Sequence, residues 1–592
     1  MSVATNLEAL RGELKAQGLS AFLIPITDEH MSEYVGDYAQ RITWATGFAG
    51  SAGNAAIGLD AAAVFIDGRY TIQVKQEVDG TLFGRHHFQE YPMLKWLQDH
   101  VTSGEKVGYD PELATIEFVE SLQLALDKVG AVAVAVDQNP VDIVWESQPA
   151  EPLSPVVMHD AKYAGKTAAE KRTDIAAELE KKGADSAVIT MLDSVAWAFN
   201  IRGKDVLNTP VVHAFALMHK DETADLFVEQ SKVSDDVRTA LGNAVRIRPR
   251  EEFYSALQDL GRQNSTVLVD ATTNNSKVFK SLEKAGATLV KGQDPCILPK
   301  AVKNPVEQQG TRDAHIRDGA AISKMLHWLS IEAPKGEIDE LDCVDKLWSF
   351  RKELSMINDR SFDTISGAGP NGALCHYRVS EETNRKLDQN SLYLFDSGGQ
   401  FNDGTTDITR TIAVGTPTAE MIENYTRVLK GHIQLTLMKF PQGTSGAALD
   451  TIARKPLWDV GLDYDHGTGH GVGSYLAVHE GPQRIAKGNN EIPLQAGMIL
   501  SNEPGYYKAE EYGIRIENLV LVKELEGTYE RPMLGFENLT WAPLDPTLID
   551  RALLTEEEKQ WVNDYHATVL EMISPQIDGE AADWLKKVCA PI

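Results

Sequence analysis

The chain has 592 residues, 43% hydrophobic and 24% charged, the make-up of an ordinary folded protein rather than a disordered one. Lys and Arg number 57 against 86 Asp and Glu, and a formal charge of −29 argues against nucleic acid or an anionic membrane surface as the main partner. No apolar run approaches the roughly 18 residues of a transmembrane helix, and Cys296, Cys343, Cys375 and Cys589 form no CxxC pair, so a reducing cytoplasm is expected rather than a disulfide scaffold or a thiolate zinc site.

The N-terminus reads as an amphipathic helix over Asn6 to Lys15, with no apolar signal core. It leads into a buried-strand run, AFLIPI (Ala21 to Ile26), and AAAVFIDGRY (Ala61 to Tyr70) reads as a second strand closed by an Asp-Gly turn. Near residue 155 the proline-rich EPLSPVV precedes a strongly charged helix from Lys166 to Lys182. The α/β pattern then begins again, with strands SAVITML (Ser186 to Leu192) and TVLVDA (Thr266 to Ala271). Two successive α/β units of about 150 residues each are the simplest description. A second seam falls at Lys303 to Gly310. Beyond it Ile322, Met325, Leu326 and Leu329 stand at i, i+3, i+4 and i+7, the stripe of a core-facing helix. Strands, glycines, histidines and acids dominate from Leu392, and two helical patterns, Thr555 to Ser574 and Gly579 to Val588, close the chain. The boundaries are therefore drawn at 1–155, 156–305 and 306–592, with a helical extension from about residue 543.

The chemistry lies between Cys375 and Leu519. In SLYLFDSGGQFNDGTTDITRTIAV (Ser391 to Val414), Leu392, Leu394 and Asp396 share one strand face. Ser397 to Thr406 suits a turn, and Asp407 opens a second strand with Thr409 and Thr411 on its face. A hairpin brings Asp396 near Asp407, and two adjacent carboxylates repel unless a cation or proton intervenes. HGTGHGVG places His466 and His470 at i, i+4, a zinc-pair spacing on a helix, but four glycines make a helix improbable. A glycine-rich loop that lets the two imidazoles point separately, or a turn whose imidazoles bond backbone carbonyls, are the two readings left. Glu503 ends a strand at Pro504-Gly505. Along YGIRIENLVLV (Tyr512 to Val522), Ile514 and Ile516 face one way, Arg515 and Glu517 the other. Burying Glu517 there costs several kcal/mol unless it is paired or metal-bound, and a surface Arg515–Glu517 ladder is the alternative. Together Asp396, Asp407, His470, Glu503 and Glu517 offer too many acids for one buried ion but suit two divalent cations bridged by carboxylates. The oxygen-rich set favours Mn²⁺, although Co²⁺, Zn²⁺ or Fe²⁺ could occupy it. Cys375 beside His376 suggests a thiol nucleophile, but no orienting third group accompanies it.

The order HY, D(x10)D, HGTGHGVG, VHEGP, SNEPGYY and GIRIEN resembles the pita-bread metallopeptidases, and HGTGHGVGSYLAVHEGP is especially similar to the long, three-domain Xaa-Pro aminopeptidases of that family. SEYVGDYAQRITWATGFAGSAG with VFIDGRY resembles that group's N-terminal domain, LDSVAWAFNIRG its second, and PKAVKNPVE its second seam, so nearly the whole chain is covered. The resemblance implies a mixed α/β and α+β chain, two creatinase-N-like α/β domains followed by a pita-bread catalytic domain. It implies two metal ions, usually manganese, on Asp396, Asp407, His470, Glu503 and Glu517. It further implies that His376 contacts substrate and helps move protons, that His466 lines the proline pocket, and that His479 bonds the scissile carbonyl or its oxyanion. Glu503 becomes the general base, Arg515 supports the site beside Glu517, and Arg41 resembles a substrate-contacting arginine that reaches across a homodimer. The expected reaction removes one residue ahead of a proline at position 2 of a peptide. A prolidase acting on Xaa-Pro dipeptides is the nearest alternative, and a non-catalytic peptide-binding module, which predicts eroded ligands, is the second.

Overall fold

The computed structural model describes residues 2–488 and 490–592. The chain up to His159 joins Lys166–Ile297 in one compact unit, and Asp160–Gly165 joins Leu298–Ile592 in another.

The first unit contains two six-stranded mixed sheets with one topology. In space the first runs Gly84–His87, Ala62–Ile66, Gly53–Gly58, Ala21–Pro25, Lys106–Tyr109, Val132–Ala135. The second runs Val245–Arg248, Ala224–Val228, Ala214–His219, Ser186–Ile189, Thr266–Val269, Thr288–Lys291. In each the three strands containing the hairpins are antiparallel and the outer pairs parallel. The central strand Ala21–Pro25 is covered on both faces: Phe22 and Ile24 enter one apolar cluster, Ala21 and Leu23 the other. That double burial is why it reads as an unbroken apolar run. Gly53–Gly58, sequence GNAAIG, is also a strand, one that sequence reasoning missed because Ile57 is its only β-branched residue among glycines, alanines and an asparagine. The expected strand Ser186 to Leu192 ends at Ile189, and Leu192 instead begins the helix Leu192–Phe199.

In the second unit the helix Pro305–Glu332 starts from a reciprocal cap between Asn304 and Glu307, with proline at its first turn. Its stripe of Ile322, Met325, Leu326 and Leu329 packs on Tyr393, Phe395 and Ile408, from the outer face of a three-stranded sheet formed by Ile365–Ala368, Ser391–Ser397 and Ile408–Val414. A six-stranded sheet in the order Lys439–Pro441, Met533–Asn538, Asn518–Glu524, Ile499–Asn502, Gly469–Gly471, Glu480–Ile485 supplies the other half of the scaffold. The closing helices form as expected, at Glu556–Ile573 and Gly579–Val588.

Two local expectations are corrected. Ser397 to Thr406 is more than a turn, since Gly399–Phe401 and Gly404–Thr405 pair there and join Ile357–Arg360. The single strand expected over Tyr512 to Val522 is broken at Ile516 and Glu517. Tyr512–Arg515 pairs with Gly505–Lys508, whereas Asn518–Glu524 belongs to the six-stranded sheet. At the break the Ile516 N–H turns to the carbonyl of Pro504 and the Glu517 N–H to that of Thr409. The surface Arg515–Glu517 ladder is thereby excluded: both residues are buried.

Candidate metal centre

Asp396 lies near the end of Ser391–Ser397, opposite Thr409 in register, and Asp407 immediately precedes Ile408–Val414. The hairpin brings both carboxylates into one buried space, where Oδ1 of each has no hydrogen-bond partner. His470 is neither on a helix nor in a loop; it occupies the short strand Gly469–Gly471. The glycines on either side are required by packing, since a Cβ at Gly469 would meet the Ser501 carbonyl at 2.0 Å and one at Gly471 the Glu480 carbonyl at 2.2 Å. His470 Nδ1 bonds the Gly471 carbonyl at 3.0 Å, which leaves Nε2 directed at Asp407 (3.5 Å) and Glu503 (3.4 Å). Glu503 follows the strand Ile499–Asn502, and Ser501 Oγ donates to its Oε1 at 3.0 Å. Thr409 Oγ1 donates to Glu517 Oε2 at 2.7 Å. One ligand atom each from Asp407, His470 and Glu517 lie within 4.8 Å of one another.

The electrostatics are unfavourable without a cation. Burial raises the Asp407 carboxyl well above its ordinary range, and Asp396 and Glu503 push it further; Glu517 is raised by burial and then by Asp407 and Asp396. Arg515 faces them, with Nη2 on Asp396 Oδ2 at 2.6 Å. Four carboxylates against one guanidinium, with buried oxygens left over and an imidazole nitrogen turned inward, fit a pair of hard-to-borderline divalent cations. Asp396, Glu503 and Glu517 each have one oxygen tied to a neighbour, so their lone pairs are already oriented.

Three more histidines stand at this site. The His479 ring meets His470 edge-on at 4.2 Å, and His376 lies 6.5 Å from His479 between ring centres. His466 Nδ1 bonds the Gly467 carbonyl at 2.7 Å, so Nε2 is the acceptor for Tyr507 Oη at 2.8 Å; that oxygen in turn accepts from Arg515 Nη1 at 2.6 Å. Sequence reasoning did not assign Tyr507, Thr409 or Ser501. No local signal marks them, since each is an ordinary strand or turn residue whose partner is brought to it by the fold. Arg41 sits in the other compact unit, its guanidinium forked onto Asp142 at 2.7 and 2.9 Å.

Comparison with known proteins agrees along the whole length. The model of metallopeptidase family M24 matches residues 309–524 and that of the C-terminal region of peptidase M24 matches 532–592. Models of the creatinase/prolidase N-terminal domain match 6–139 and 147–307. The chain is 42% identical to a probable Xaa-Pro aminopeptidase P of Sordaria macrospora, with both proteins covered completely. It is 40% identical to one of Talaromyces marneffei, covering 100% of this chain and 93% of that protein. Among solved structures, X-prolyl aminopeptidase from Caenorhabditis elegans, described as a cytosolic enzyme with a di-nuclear active site, superposes over 100% of both chains with a TM-score of 0.96 and 34% identity. An Xaa-Pro dipeptidase from Bacillus anthracis, 22% identical with a TM-score of 0.51, shares the fold over 64% of this chain and 99% of its own.

Proposed function

We infer that this chain, which belongs to metallopeptidase family M24, is a metal-dependent Xaa-Pro aminopeptidase: it hydrolyses the bond between an N-terminal residue and a following proline. The observation that carries this reading is the convergence of five donors, from segments 121 residues apart at their extremes (517 − 396), on one buried space with unpartnered carboxylate oxygens. None of the five is eroded, so the non-catalytic module has no support. The full-length likeness to Xaa-Pro aminopeptidases favours peptides over dipeptides.

We propose Asp396, Asp407, His470, Glu503 and Glu517 as the ligands of two divalent ions. Manganese is favoured by a set of four carboxylates and one imidazole. Such a pair supplies a water acidic enough to attack near neutral pH and a Lewis acid for the carbonyl ahead of proline. The protein's own part begins with restraint. Arg515, Thr409 and Ser501 hold Asp396, Glu517 and Glu503 by one oxygen each. Glu503 Oε2, the oxygen not held by Ser501, takes the proton of the attacking water and returns it to the departing proline nitrogen. His479 donates to the developing oxyanion, and His376 holds the substrate beside it. His466, with Nδ1 on Gly467 and Nε2 on Tyr507, presents its ring to the proline. An X–Pro amide has no N–H, so a cleft that demands none accepts it. Arg41 is proposed as a substrate contact across a homodimer. The domains are proposed at 1–155, 156–305 and 306–592, and a cytoplasmic location is supported by the description of the nematode relative.

The test is hydrolysis of Arg-Pro-Pro, Arg-Ala-Pro and Arg-Pro by chelator-treated protein, with and without Mn²⁺. Mn²⁺-dependent release of arginine from Arg-Pro-Pro alone is expected. Turnover of Arg-Pro without turnover of Arg-Pro-Pro would make the protein a prolidase, and turnover after verified metal removal would refute the two-cation reading.

A further inference from the structure

We propose that Asp318 and Arg351 brace the loop between Asp396 and Asp407, and so set the affinity of the site for its second cation. The inference rests on the two-cation reading above. Asp318 comes from the helix Pro305–Glu332 and Arg351 ends the helix Glu340–Arg351; both are buried, at 2% and 1% exposure. Arg351 forks onto Asp318 through Nε to Oδ1 (2.7 Å) and Nη2 to Oδ2 (3.0 Å). Each partner then has one bond to spare. Arg351 Nη1 donates to Ser397 Oγ, and Asp318 Oδ2 accepts from Thr406 Oγ1 at 2.7 Å.

Those two hydroxyls are placed one residue from the two ligands: Ser397 follows Asp396 and Thr406 precedes Asp407. The pair therefore grips both arms of the loop at their roots. The arms are drawn close there. A Cβ on Gly398 would lie 1.8 Å from the Thr406 carbonyl, the Thr406 N–H bonds the Gly399 carbonyl at 2.9 Å, and Ser361 Oγ donates to the Thr406 carbonyl at 2.9 Å. Thr364 Oγ1 meets Ser397 Oγ at 2.8 Å from the other side.

A buried ion pair is a poor device for stability, because desolvating both charges offsets most of their attraction. Its value here is direction. Two carboxylates that repel tend to splay the arms that carry them, and a planar guanidinium forked on a carboxylate resists this in a way that two apolar side chains cannot. The spacing of Asp396 and Asp407 is thereby set before any cation arrives.

Substituting the ion pair itself risks the fold, so the test uses the hydroxyls: Thr406→Val, Ser397→Ala, and Thr406→Ser as rescue. Mn²⁺ binding is followed by titration calorimetry and by the exchange-coupled electron paramagnetic resonance signal of adjacent ions, with unfolding of the metal-free proteins alongside. Thr406→Val and Ser397→Ala are each expected to weaken the second cation about tenfold or more, because each hydroxyl loses its bond to the charged pair together with a neutral one, from the Gly399 N–H or with Thr364 Oγ1, and to diminish the coupled signal. Their metal-free unfolding midpoints move by only a few degrees, and Thr406→Ser recovers both. Wild-type affinity for two ions in Thr406→Val overturns the brace, as does a loss that Thr406→Ser fails to restore. Wild-type protein that binds no cation in the same titration overturns the two-cation reading and the brace with it, a result distinct from the first because the coupled signal is then absent from every sample.

Discussion

Glu517→Gln should make the metal-free protein more stable and the metal-loaded protein less so. Glu517 is 1% exposed, Thr409 holds one of its oxygens, and a ligand oxygen lies within 4.8 Å of Asp407 and His470. Two unit charges at that separation repel by about 3.5 kcal/mol at an effective dielectric near 20. In the absence of cations the protein relieves the repulsion by taking up a proton, which is why burial and Asp407 hold the Glu517 carboxyl well above its ordinary value of 4.5. A group raised on folding destabilises the native state progressively as pH rises, by about 1.4 kcal/mol per pH unit from its ordinary value until it titrates in the folded protein. The glutamine carries no such penalty, and its amide oxygen can still accept from Thr409. In chelator, therefore, the variant and wild type should be equally stable near pH 4.5, with the variant ahead at pH 8 by about 3.5 kcal/mol, the repulsion it no longer carries. Mn²⁺ at a thousand times its dissociation constant should add about 4 kcal/mol to wild type and far less to the variant, which reverses the order. Scanning calorimetry over pH 4.5–8, with and without Mn²⁺, reads all four states. A variant less stable than wild type in chelator at pH 8 would show that the carboxylates are not under mutual strain, and the argument for a cation pair would lose its electrostatic basis.

Two further outcomes follow from buried groups elsewhere in the second unit. Glu340, fully buried, accepts from the N–H groups of Ala368 (2.7 Å) and Arg385 (3.2 Å), from Asn371 Nδ2 and from Tyr377 Oη (3.0 Å each), and so clamps the segment that carries His376. Glu340→Ala should raise KM for Arg-Pro-Pro about tenfold or more and cost over about 3 kcal/mol in urea unfolding, because several buried donors are left unpaired; an unchanged KM would detach the clamp from the substrate. His315, His432 and His566 are held neutral mainly by burial, at about 4, 3 and 4 against an ordinary 6.5. Their unfolded forms take up protons first as pH falls below 6.5, so together they should remove about 4 kcal/mol of stability per pH unit between roughly pH 6 and 4.5. His315→Gln should flatten that slope by about a third, and a slope unaffected by the substitution would contradict its neutral burial.

The legible parts of the fold are those where one residue property decides the outcome. Pro305–Glu332 was readable from its four-residue stripe, although it starts inside the seam expected at Lys303 to Gly310, and Glu556–Ile573 from its periodicity. Ala21–Pro25 was readable because burial on both faces demands a continuous apolar run. Gly53–Gly58 escaped because alanine and glycine carry almost no strand preference, and its place is given by neighbours on either side. The break at Ile516–Glu517 was hidden for a related reason. Alternation continues through it, and only the pull of the Thr409 and Pro504 carbonyls, both distant in sequence, divides one strand between two sheets.

That break also explains why the ligands could be named when their supports could not. A carboxylate in or beside an apolar strand violates the pattern around it, so Asp396, Asp407 and Glu517 can be picked out as candidates, although only the whole set points to cations. Thr409, Ser501 and Tyr507 obey the pattern: a threonine in a strand, a serine and a tyrosine near turns. Their roles exist only through distances closed by the fold, 2.7 Å to Glu517, 3.0 Å to Glu503 and 2.6 Å to Arg515. The acids that break local rules are tolerated because Thr409 and Ser501 each fix one carboxylate oxygen, and Tyr507 holds the Arg515 that fixes another on Asp396. Remove the cations and the same arrangement becomes a cluster of like charges held together by its surroundings. The functional residues are thus the ones that the fold alone would select against, and the residues that make them tolerable are the ones that no local sequence signal distinguishes.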